Sequence, residues 1–475
     1  MKRTLLNIIY NAIYQIFLVL VPLITVPYLS RVLGAKTYGI YSSVNNTTQF
    51  LMVFCTLSIS YIGMRTISRT RAYAGPEELT EAFWGLWYFQ ALASLVTIII
   101  VVAIATIFHI QYWNYLLLMV PYLISAQIDI TWFFQGLADF GKVVLRNTIV
   151  KLTSVVLILW LVKNPGDLWK YLLIMSLTTM LGSMVFWLSI GTYVGKPVRH
   201  FYRYHETLRA IVTLLIPQIA TQIYTSLDKP LLGYFQTSTQ VAYYDNAQKI
   251  SNMVLGVITS ISLVIMPKMA SEGEAAQKQV LKKSLEATTM LGTLFAVVIM
   301  ANTKEFVPFF FGKEFIPMTP LMFFFTLTII MIPMGGVFAN QFALANNRDR
   351  DYAIPVVIGA FLEVGLCALL DRSFGAAGAM VAILVTEFIV LLLRLRIVRD
   401  GYDFKAAFVD VPKYFLVAGV TLALGMFLPQ ILSSAFLNMT LKSIIMIIVY
   451  LALMFLMKLD FNQDIIKLVR RIVRR

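Results

Sequence analysis

Residues 83–107 read FWGLWYFQALASLVTIIIVVAIATI and contain no charged side chain. An apolar run of about 20 residues is long enough for a helix to cross the hydrocarbon core of a bilayer. Similar runs recur from Ile8 to Met457, and 59% of the 475 residues are hydrophobic whereas only 13% are charged. Soluble domains are roughly 45–50% apolar and about 25% charged. The composition therefore excludes a soluble enzyme and predicts an all-α polytopic membrane protein.

We predict about 14 transmembrane helices, with 12 spans as the alternative count. The predicted spans cover residues 7–29, 38–62, 83–107, 113–135, 143–163, 171–194, 208–232, 242–266, 284–303, 318–345, 352–370, 376–397, 411–432 and 438–457. The connections average about 11 residues if each span takes roughly 22, which leaves no room for an extramembrane domain. Both cysteines, Cys55 and Cys367, fall within spans, so no disulfide framework is expected.

The positive charges alternate between the two sides of the predicted membrane. With the N-terminus in the cytoplasm, 29 Lys and Arg residues fall in inner connections and tails and eight fall outside. This bias follows the positive-inside rule, and an even number of spans places both termini in the cytoplasm. The net charge of +15 is thereby explained without nucleic acid, which we do not expect as a partner.

Two stretches of similar sequence predict an internal repeat. Ser30-Arg-Val-Leu-Gly34 closes span 1, and Asp228-Lys-Pro-Leu-Leu-Gly233 closes span 7. We predict an N-terminal six-helix lobe (1–194), a cytoplasmic inter-lobe linker (195–206), a C-terminal six-helix lobe (207–400), and two additional helices with a basic cytoplasmic tail (401–475). Six helices per lobe keep the same orientation, so the pseudo-symmetry axis would follow the membrane normal. Chance similarity between apolar segments is the alternative.

Polar side chains form stripes inside four of the predicted spans. Span 2 contains Asn45 and Gln49, and span 7 contains Gln218 and Gln222. The polar residues of span 7 recur at helical spacing. Polar groups inside a membrane are costly and face a partner or a wet cavity. Interhelical hydrogen bonding is the alternative for one stripe, whereas four stripes in related lobes favour a hydrated cavity.

Five cations lie at two levels of the predicted cavity. Arg31, Lys229 and Lys249 map to the outer parts of their helices, whereas Arg65 and Lys151 map to inner ends. Cations at both levels suit an anionic ligand, and arginine matches phosphate oxygens in a bidentate way. Ordinary snorkelling at the membrane interface is the alternative for Arg65.

The sequence contains no enzyme motif. The histidines His109, His200 and His205 lack metal-ligand spacing, and no phosphate-cradling glycine loop or nucleophile elbow is present. We therefore predict that the protein is not an enzyme and has no catalytic residue, metal site or cofactor.

Several stretches together resemble a known family. They are Val26-Pro-Tyr-Leu-Ser-Arg-Val-Leu-Gly34 with Tyr38-Gly-Ile-Tyr41, Asp129-Ile-Thr-Trp-Phe-Phe-Gln-Gly136, Arg146-Asn-Thr-Ile-Val-Lys151, Tyr224-Thr-Ser-Leu-Asp-Lys229, and Val241-Ala-Tyr-Tyr244 with Met266-Pro-Lys268. The chain resembles the polysaccharide transporter family, the Wzx-type oligosaccharide flippases of the multidrug/oligosaccharidyl-lipid/polysaccharide exporter superfamily. The likeness covers about the first 400 residues.

The resemblance implies a flippase in the bacterial cytoplasmic membrane. It would move undecaprenyl-pyrophosphate-linked oligosaccharide repeat units from the inner to the outer leaflet by alternating access. Lumen cations would hold the pyrophosphate, for which Arg31, Lys229 and Lys249 are the first candidates and Arg65 and Lys151 the second. The polymer product stays open among capsule, O-antigen, a teichoic-type polymer and exopolysaccharide.

The same resemblance implies candidates for ion coupling and for partners. Some relatives place a sodium site where this chain has Asp228, Glu363 and Thr386 or Glu387, with a proton as the alternative coupling ion. A helix–helix hydrogen bond is the alternative role for Glu363 and Glu387. The implied partners are lipid-linked oligosaccharide, membrane lipids, a polysaccharide polymerase and glycosyltransferases.

Two other functions remain as alternatives. A cation or drug antiporter of the same superfamily would favour an acidic or aromatic pocket over a basic one. A membrane-embedded glycan polymerase or ligase usually has a large outer loop with a catalytic Arg or His, whereas the longest outer loop predicted here, Lys304 to Pro317, is short.

Overall fold

The computed structural model describes residues 2–73, 75–271, 274–346, 348–398, 408–457 and 459, with side chains from residue 20 onward except in 260–271, 274–276 and 398. Within these ranges the chain is helical and contains no strand, so the all-α prediction is confirmed. The predicted basic tail, apart from Leu459, and most of the connection before the last two helices (399–407) lie outside the described residues.

The α-helices run as follows: α1 (Lys2–Thr56), α2 (Ile59–Tyr73), α3 (Pro76–Phe108), α4 (Trp113–Leu118), α5 (Val120–Ile128), α6 (Thr131–Gly136), α7 (Phe140–Leu161), α8 (Leu168–Met184), α9 (Trp187–Ile190), α10 (Tyr204–Gln222), α11 (Asp228–Phe235), α12 (Ser238–Ser271), α13 (Glu274–Phe310), α14 (Thr319–Phe325), α15 (Thr328–Gly336), α16 (Asp349–Phe374), α17 (Ala376–Val398), α18 (Val411–Phe427) and α19 (Ala435–Leu456). Pro165–Asp167 and Lys313–Met318 are 3₁₀ turns, whereas Ile223–Leu227 and Val337–Leu344 are π-helical.

The described residues include 11 helical segments that are long and apolar enough to cross a membrane, and α18 is a shorter apolar helix. The segment Leu20–Tyr73 contains the second predicted span and the end of the first. Gly34 separates these two spans with φ 70° and ψ 169°, a conformation almost confined to glycine. The prediction of many membrane-spanning helices is confirmed, but the count of fourteen stays a prediction.

A break in the second predicted span has no counterpart in the sequence pattern. Leu57 and Ser58 adopt φ values of 45° and 61°, and they separate α1 from α2. Left-handed conformations are uncommon for residues other than glycine. The two residues thus interrupt the helix at a point where the sequence contains neither proline nor glycine.

The first compact unit comprises Met1–Ala242. Its core is an aromatic cluster in which Phe83 of α3 contacts Trp132 and Phe133 of α6. The Trp132 indole N–H donates to the buried Gln90 side chain at 3.0 Å. A Cβ at Gly63 would lie 2.4 Å from the Trp132 ring, so α2 needs glycine there to approach α6. The family motif at 129–136 therefore builds the core of this unit.

The second compact unit comprises Tyr243–Arg475 and is organised around α13. Both α18 and α19 pack against α13. Tyr450 of α19 shares a hydrogen bond of 2.7 Å with Thr293, and Lys442 donates to the Ala301 carbonyl at 2.6 Å. These buried polar contacts join the last two helices to α13.

The two units divide the chain between Ala242 and Tyr243, whereas the predicted lobes divide at the linker 195–206. The predicted lobe boundaries stay a prediction. Gly34 and Gly233, which the repeat would equate, differ in conformation because Gly34 has a positive φ and Gly233 lies within α11.

Candidate functional site

A strip of polar side chains joins α1, α5 and α10 in the first unit. The Gln49 amide donates to the Tyr122 hydroxyl at 3.0 Å, and the Gln222 amide donates to the Gln49 carbonyl at 3.1 Å. At the helix break, the Ser58 hydroxyl donates to Gln218 Oε1 at 2.9 Å. The structure thus brings together three of the four predicted amides, and it adds Tyr122 and Ser58, which sequence reasoning missed.

The fourth predicted amide, Asn45, lies one helical turn from Gln49 on α1. Its side chain is half-buried and forms no hydrogen bond within the described residues. By contrast, the neighbouring Asn46 is buried and donates to the Ser42 carbonyl at 2.8 Å. Asn45 therefore retains its hydrogen-bonding capacity for another molecule, whereas Asn46 stabilises its own helix.

The predicted cation Lys229 forms a buried ion pair with the adjacent Asp228. Its Nζ lies 2.9 and 3.1 Å from the two carboxylate oxygens of Asp228, and the Lys229 and Asp228 side chains are 4% and 0% exposed. A buried charge is costly unless it is paired and hydrogen-bonded. The pair therefore balances both charges within the first unit.

The helix is locally wider at this pair. Residues Ile223–Leu227 form a π-helix between α10 and α11. Pro230 has no N–H for the carbonyl four residues earlier, which weakens the regular α-helical pattern here. The Lys229 ammonium donates to the Thr225 carbonyl at 3.0 Å, the group that an ideal helix pairs with the Lys229 N–H. Such π segments often occur at functional sites.

The predicted cations Arg31 and Lys151 lie on α1 and α7. Arg31 is exposed and precedes the turn at Gly34. Lys151 is half-buried within a membrane-length helix, and its ammonium forms no hydrogen bond or ion pair in the described part of the chain. Nearby on α7, Arg146 instead donates to the Gly182 carbonyl at 2.9 Å and to Ser183 Oγ at 2.6 Å.

The remaining predicted cation of this unit, Arg65, lines a pocket of about 410 Å³. We call this the arginine pocket. Its polar lining comes mainly from one face of α2 and from the start of α10, and it includes Arg65, Thr66, Arg69, Thr70, Arg203 and Thr207. Arg65 and Arg69 are exposed, one helical turn apart, and neither forms an ion pair or hydrogen bond within the described residues.

Two carboxylates hold the third arginine of this pocket. Arg203 lies 3.3 Å from Glu78 and 3.5 Å from Glu206. The Tyr202 hydroxyl also donates to Glu78, at 3.1 Å. Burial, followed by the hydrogen bond to Glu78, raises the pKa of Tyr202 above its ordinary value. The sequence analysis proposed Arg65 as a binding cation, but no local pattern linked it to Arg203, which lies 138 positions later in the chain.

In the second unit, Lys249 pairs with Asp245 on α12 at 2.5 Å. Lys249 is 28% exposed, whereas Asp245 is buried. As in the first unit, the predicted substrate-binding lysine has a carboxylate partner on its own helix.

The predicted coupling residues fall in both units. Asp228 belongs to the first unit, whereas Glu363 of α16 and Thr386 and Glu387 of α17 are buried in the second. The helices α16 and α17 pack together across a turn at Gly375. Within the residues that the structure describes, no group of three or more His, Cys, Asp or Glu side chains is placed to hold a metal ion.

Comparison with known proteins identifies relatives that match most of the chain. The family model described as "Polysaccharide biosynthesis protein" matches residues 4–272. A protein of Escherichia coli (strain K12) named "Putative O-antigen transporter" is 22% identical over 404 residues, covering 83% of this chain and 96% of that protein. A protein of the same name from Shigella dysenteriae is 22% identical over 413 residues, covering 83% and 98%.

Solved structures share the fold. The structure titled "Lipid II flippase MurJ, inward closed conformation" matches with a TM-score of 0.79 and 15% identity, covering 97% of this chain and 100% of that chain. An inward-facing multidrug resistance MATE family transporter of the MOP superfamily matches with a TM-score of 0.58 and 14% identity, covering 84% and 99%. These matches show that the chain shares its fold with the two solved transporters, and the apolar helices make it a multi-pass membrane protein. The family model, which matches more than half of the chain, confirms the predicted resemblance.

Proposed function

This chain belongs to the polysaccharide biosynthesis protein family, and we propose that it is a flippase for lipid-linked oligosaccharides in the bacterial cytoplasmic membrane. Its substrate would be an oligosaccharide repeat unit on undecaprenyl pyrophosphate, moved from the inner to the outer leaflet. Relatives named as O-antigen transporters support this class of substrate.

The observation that carries the proposal is the strip of amides inside membrane-length helices of the first unit. Gln222 of α10 bonds Gln49 of α1, Gln49 bonds Tyr122 of α5, and Gln218 of α10 accepts from Ser58 at the break after α1. Asn45 keeps its donors and acceptor unused within the described residues. An amide donates and accepts hydrogen bonds, as sugar hydroxyls also do. A lipid chain offers no such partner, so this strip suits a glycan head group.

The proposed mechanism is alternating access. The glycan would pass along polar side chains while the prenyl chain stays in the bilayer, and Arg31 and Lys151 would attract the pyrophosphate. The ammonium groups of Lys229 and Lys249 would act only if the substrate competes with their carboxylate partners. A membrane potential of 100 mV contributes about 4.6 kcal/mol to outward movement of two negative charges, from about 2.3 per charge.

Coupling to Na⁺ or H⁺ through Asp228, Glu363, Thr386 and Glu387 is part of the proposal. Transport in proteoliposomes with a sodium gradient or a pH gradient identifies the ion. Loss of the gradient dependence in Glu363→Gln and Glu387→Gln would support the assignment, and an unchanged dependence in both variants would remove these residues from it.

Translocation of a defined lipid-linked glycan in proteoliposomes tests the function directly. We expect wild-type protein to expose the glycan to an external glycosidase, and Asn45→Leu to lower the rate about tenfold, the effect of losing roughly 1.4 kcal/mol. Thr106→Val is the matched control, because this exposed hydroxyl bonds the Val102 carbonyl of its own helix at 2.7 Å. Wild-type protein that moves no lipid-linked glycan would contradict the proposal.

The structure provides little support for a polymerase or ligase. The segment predicted as the longest outer loop is mostly helical, since α13 extends to Phe310 and a 3₁₀ turn covers Lys313–Met318. The fold shared with a multidrug resistance transporter keeps the antiporter as the second candidate. Transport of a cationic drug without transport of lipid-linked glycan would favour the antiporter.

We also propose that both termini lie in the cytoplasm and that a polymerase and glycosyltransferases act as partners. Reporter fusions at each end test the orientation. Crosslinking in membranes that contain these enzymes tests the association.

A further inference from the structure

The arginine pocket lies next to an apolar groove of about 640 Å³ within the same unit. The groove is lined by α1, α3 and the beginning of α10, and its residues include Leu51, Phe89, Leu92, Val96, Tyr204 and Leu208. Arg203, the residue before α10, and Thr207 of α10 line the pocket, and the next residue after each, Tyr204 and Leu208, lines the groove. Since successive residues are 100° apart around a helix, the pocket and groove occupy neighbouring faces of the first turns of α10.

We propose that the arginine pocket and the apolar groove form a loading site for undecaprenyl pyrophosphate lipids. The pyrophosphate would lie against Arg65 and Arg69, and the first part of the prenyl chain would lie along the groove. This inference rests on the proposed function and assigns it an entry site within one unit, separate from the amide strip.

The charges of the pocket favour a phosphate group. Two arginines one turn apart repel each other, and Arg65 and Arg69 have no counter-ion among the described residues. Guanidinium groups bind phosphate oxygens through paired, charge-assisted hydrogen bonds. The hydroxyls of Thr66, Thr70 and Thr207 can donate further hydrogen bonds to the same oxygens.

The carboxylates of the pocket restrict where the anion can bind. Glu78 and Glu206 both face Arg203, so two carboxylates oppose one guanidinium and that end of the pocket would repel a phosphate. The positive charge that remains is on α2. The pyrophosphate would therefore bind Arg65 and Arg69, while Arg203 holds the starts of α3 and α10 together.

The groove favours a lipid over a free phosphate compound. Its lining is mainly apolar, with Thr97 and Tyr204 as the residues that carry hydroxyls, and Leu92 and Val96 are 54% and 46% exposed. Bilayer lipid alone would also cover such residues, but the adjacent arginines select a chain that ends in a phosphate. The positive-inside pattern places this end of the helices at the cytoplasmic surface, where the lipid-linked substrate is made under the proposed function.

Binding to the full-length protein in nanodiscs tests the head-group site. The probes are undecaprenyl pyrophosphate, inorganic pyrophosphate and phosphatidylglycerol, and native mass spectrometry reports which one remains bound. We expect Arg65→Gln and Arg69→Gln each to weaken undecaprenyl pyrophosphate binding roughly tenfold, as for loss of a charge-assisted hydrogen bond. Arg209→Gln is the matched control, because Arg209 is exposed on α10 and does not line the pocket.

A second pair of variants tests the groove. Ala93 lines the groove, so Ala93→Trp should fill it and weaken binding of undecaprenyl pyrophosphate without changing binding of inorganic pyrophosphate. Leu95→Trp is its control, since Leu95 is exposed on the same helix outside the groove. Melting temperatures of all variants exclude loss of the fold, and Arg65→Lys keeps the charge if Arg65→Gln does not fold.

The outcomes separate this inference from the proposed function. Equal binding of undecaprenyl pyrophosphate by wild type and the Arg65→Gln/Arg69→Gln variant would overturn the inference, even if transport proceeds. If wild-type protein binds inorganic pyrophosphate or phosphatidylglycerol as tightly as it binds undecaprenyl pyrophosphate, the assignment to this lipid is overturned. If binding depends on both arginines but wild-type protein moves no glycan in proteoliposomes, the loading site stands and the flippase proposal fails.

Discussion

The buried pair Asp228–Lys229 offers the sharpest test of how the first unit is stabilised. Lys229→Met removes the ammonium and leaves the Asp228 carboxylate 0% exposed without the two contacts at 2.9 and 3.1 Å. Breaking a buried pair from one side costs about 3–5 kcal/mol, because an uncompensated charge remains. At about 2–4 °C per kcal/mol for a unit of this size, the melting temperature should fall by about 6–20 °C.

The double variant Asp228→Asn/Lys229→Met separates charge balance from any other role of the lysine. Removing both charges is often close to neutral for stability, so the double variant should recover most of the lost melting temperature. The coupling energy between the two sites should be about 2–3 kcal/mol. Melting of Lys229→Met, Asp228→Asn, the double variant and wild type in detergent, followed by size-exclusion chromatography, measures this cycle.

Translocation by the double variant then tests the predicted role of Lys229 in substrate binding. A stable double variant that no longer moves lipid-linked glycan would support a substrate contact for Lys229. A stable double variant that still moves lipid-linked glycan would show that Lys229 serves only to balance the charge of Asp228. A Lys229→Met protein with the melting temperature of wild type would refute the argument that this buried pair stabilises the first unit.

Three further predictions concern the backbone and the helix contacts. Gly63→Ala should lower stability by about 1–3 kcal/mol because its Cβ would lie 2.4 Å from Trp132, whereas Gly365→Ala, with nothing within 4 Å, should not lower it; melting of both variants measures the difference. Gly34→Ala should cost about 1–3 kcal/mol because φ is 70° there, and a melting temperature equal to wild type would show that the turn tolerates a side chain. Ser58→Ala removes the donor to Gln218 and should lower the free energy of unfolding by about 1 kcal/mol. Ser68→Ala is the control, because Ser68 is exposed on α2. Equal free energies of unfolding for the two variants would contradict a contribution from the Ser58 hydrogen bond.

The sequence alone predicted the helical class, the membrane setting and the family. Span prediction succeeds because crossing a bilayer depends on a local property, the length of an apolar run. The sequence did not predict the helix break at Leu57 and Ser58, where α1 ends without proline or glycine. The hydrogen bond from Ser58 to Gln218 joins positions 160 residues apart, so no local pattern could reveal it.

The sequence predicted which residue types form the candidate site, but it did not predict which side chains pair with one another. A lysine in a membrane span must find a partner or water, and the sequence could not decide between them. The structure pairs Lys229 with Asp228 and Lys249 with Asp245, whereas Lys151, Arg65 and Arg69 lack partners within the described residues. Hydrophobicity is summed along the chain and is therefore readable from sequence, whereas charge balance depends on distances of a few ångströms that only the tertiary structure determines.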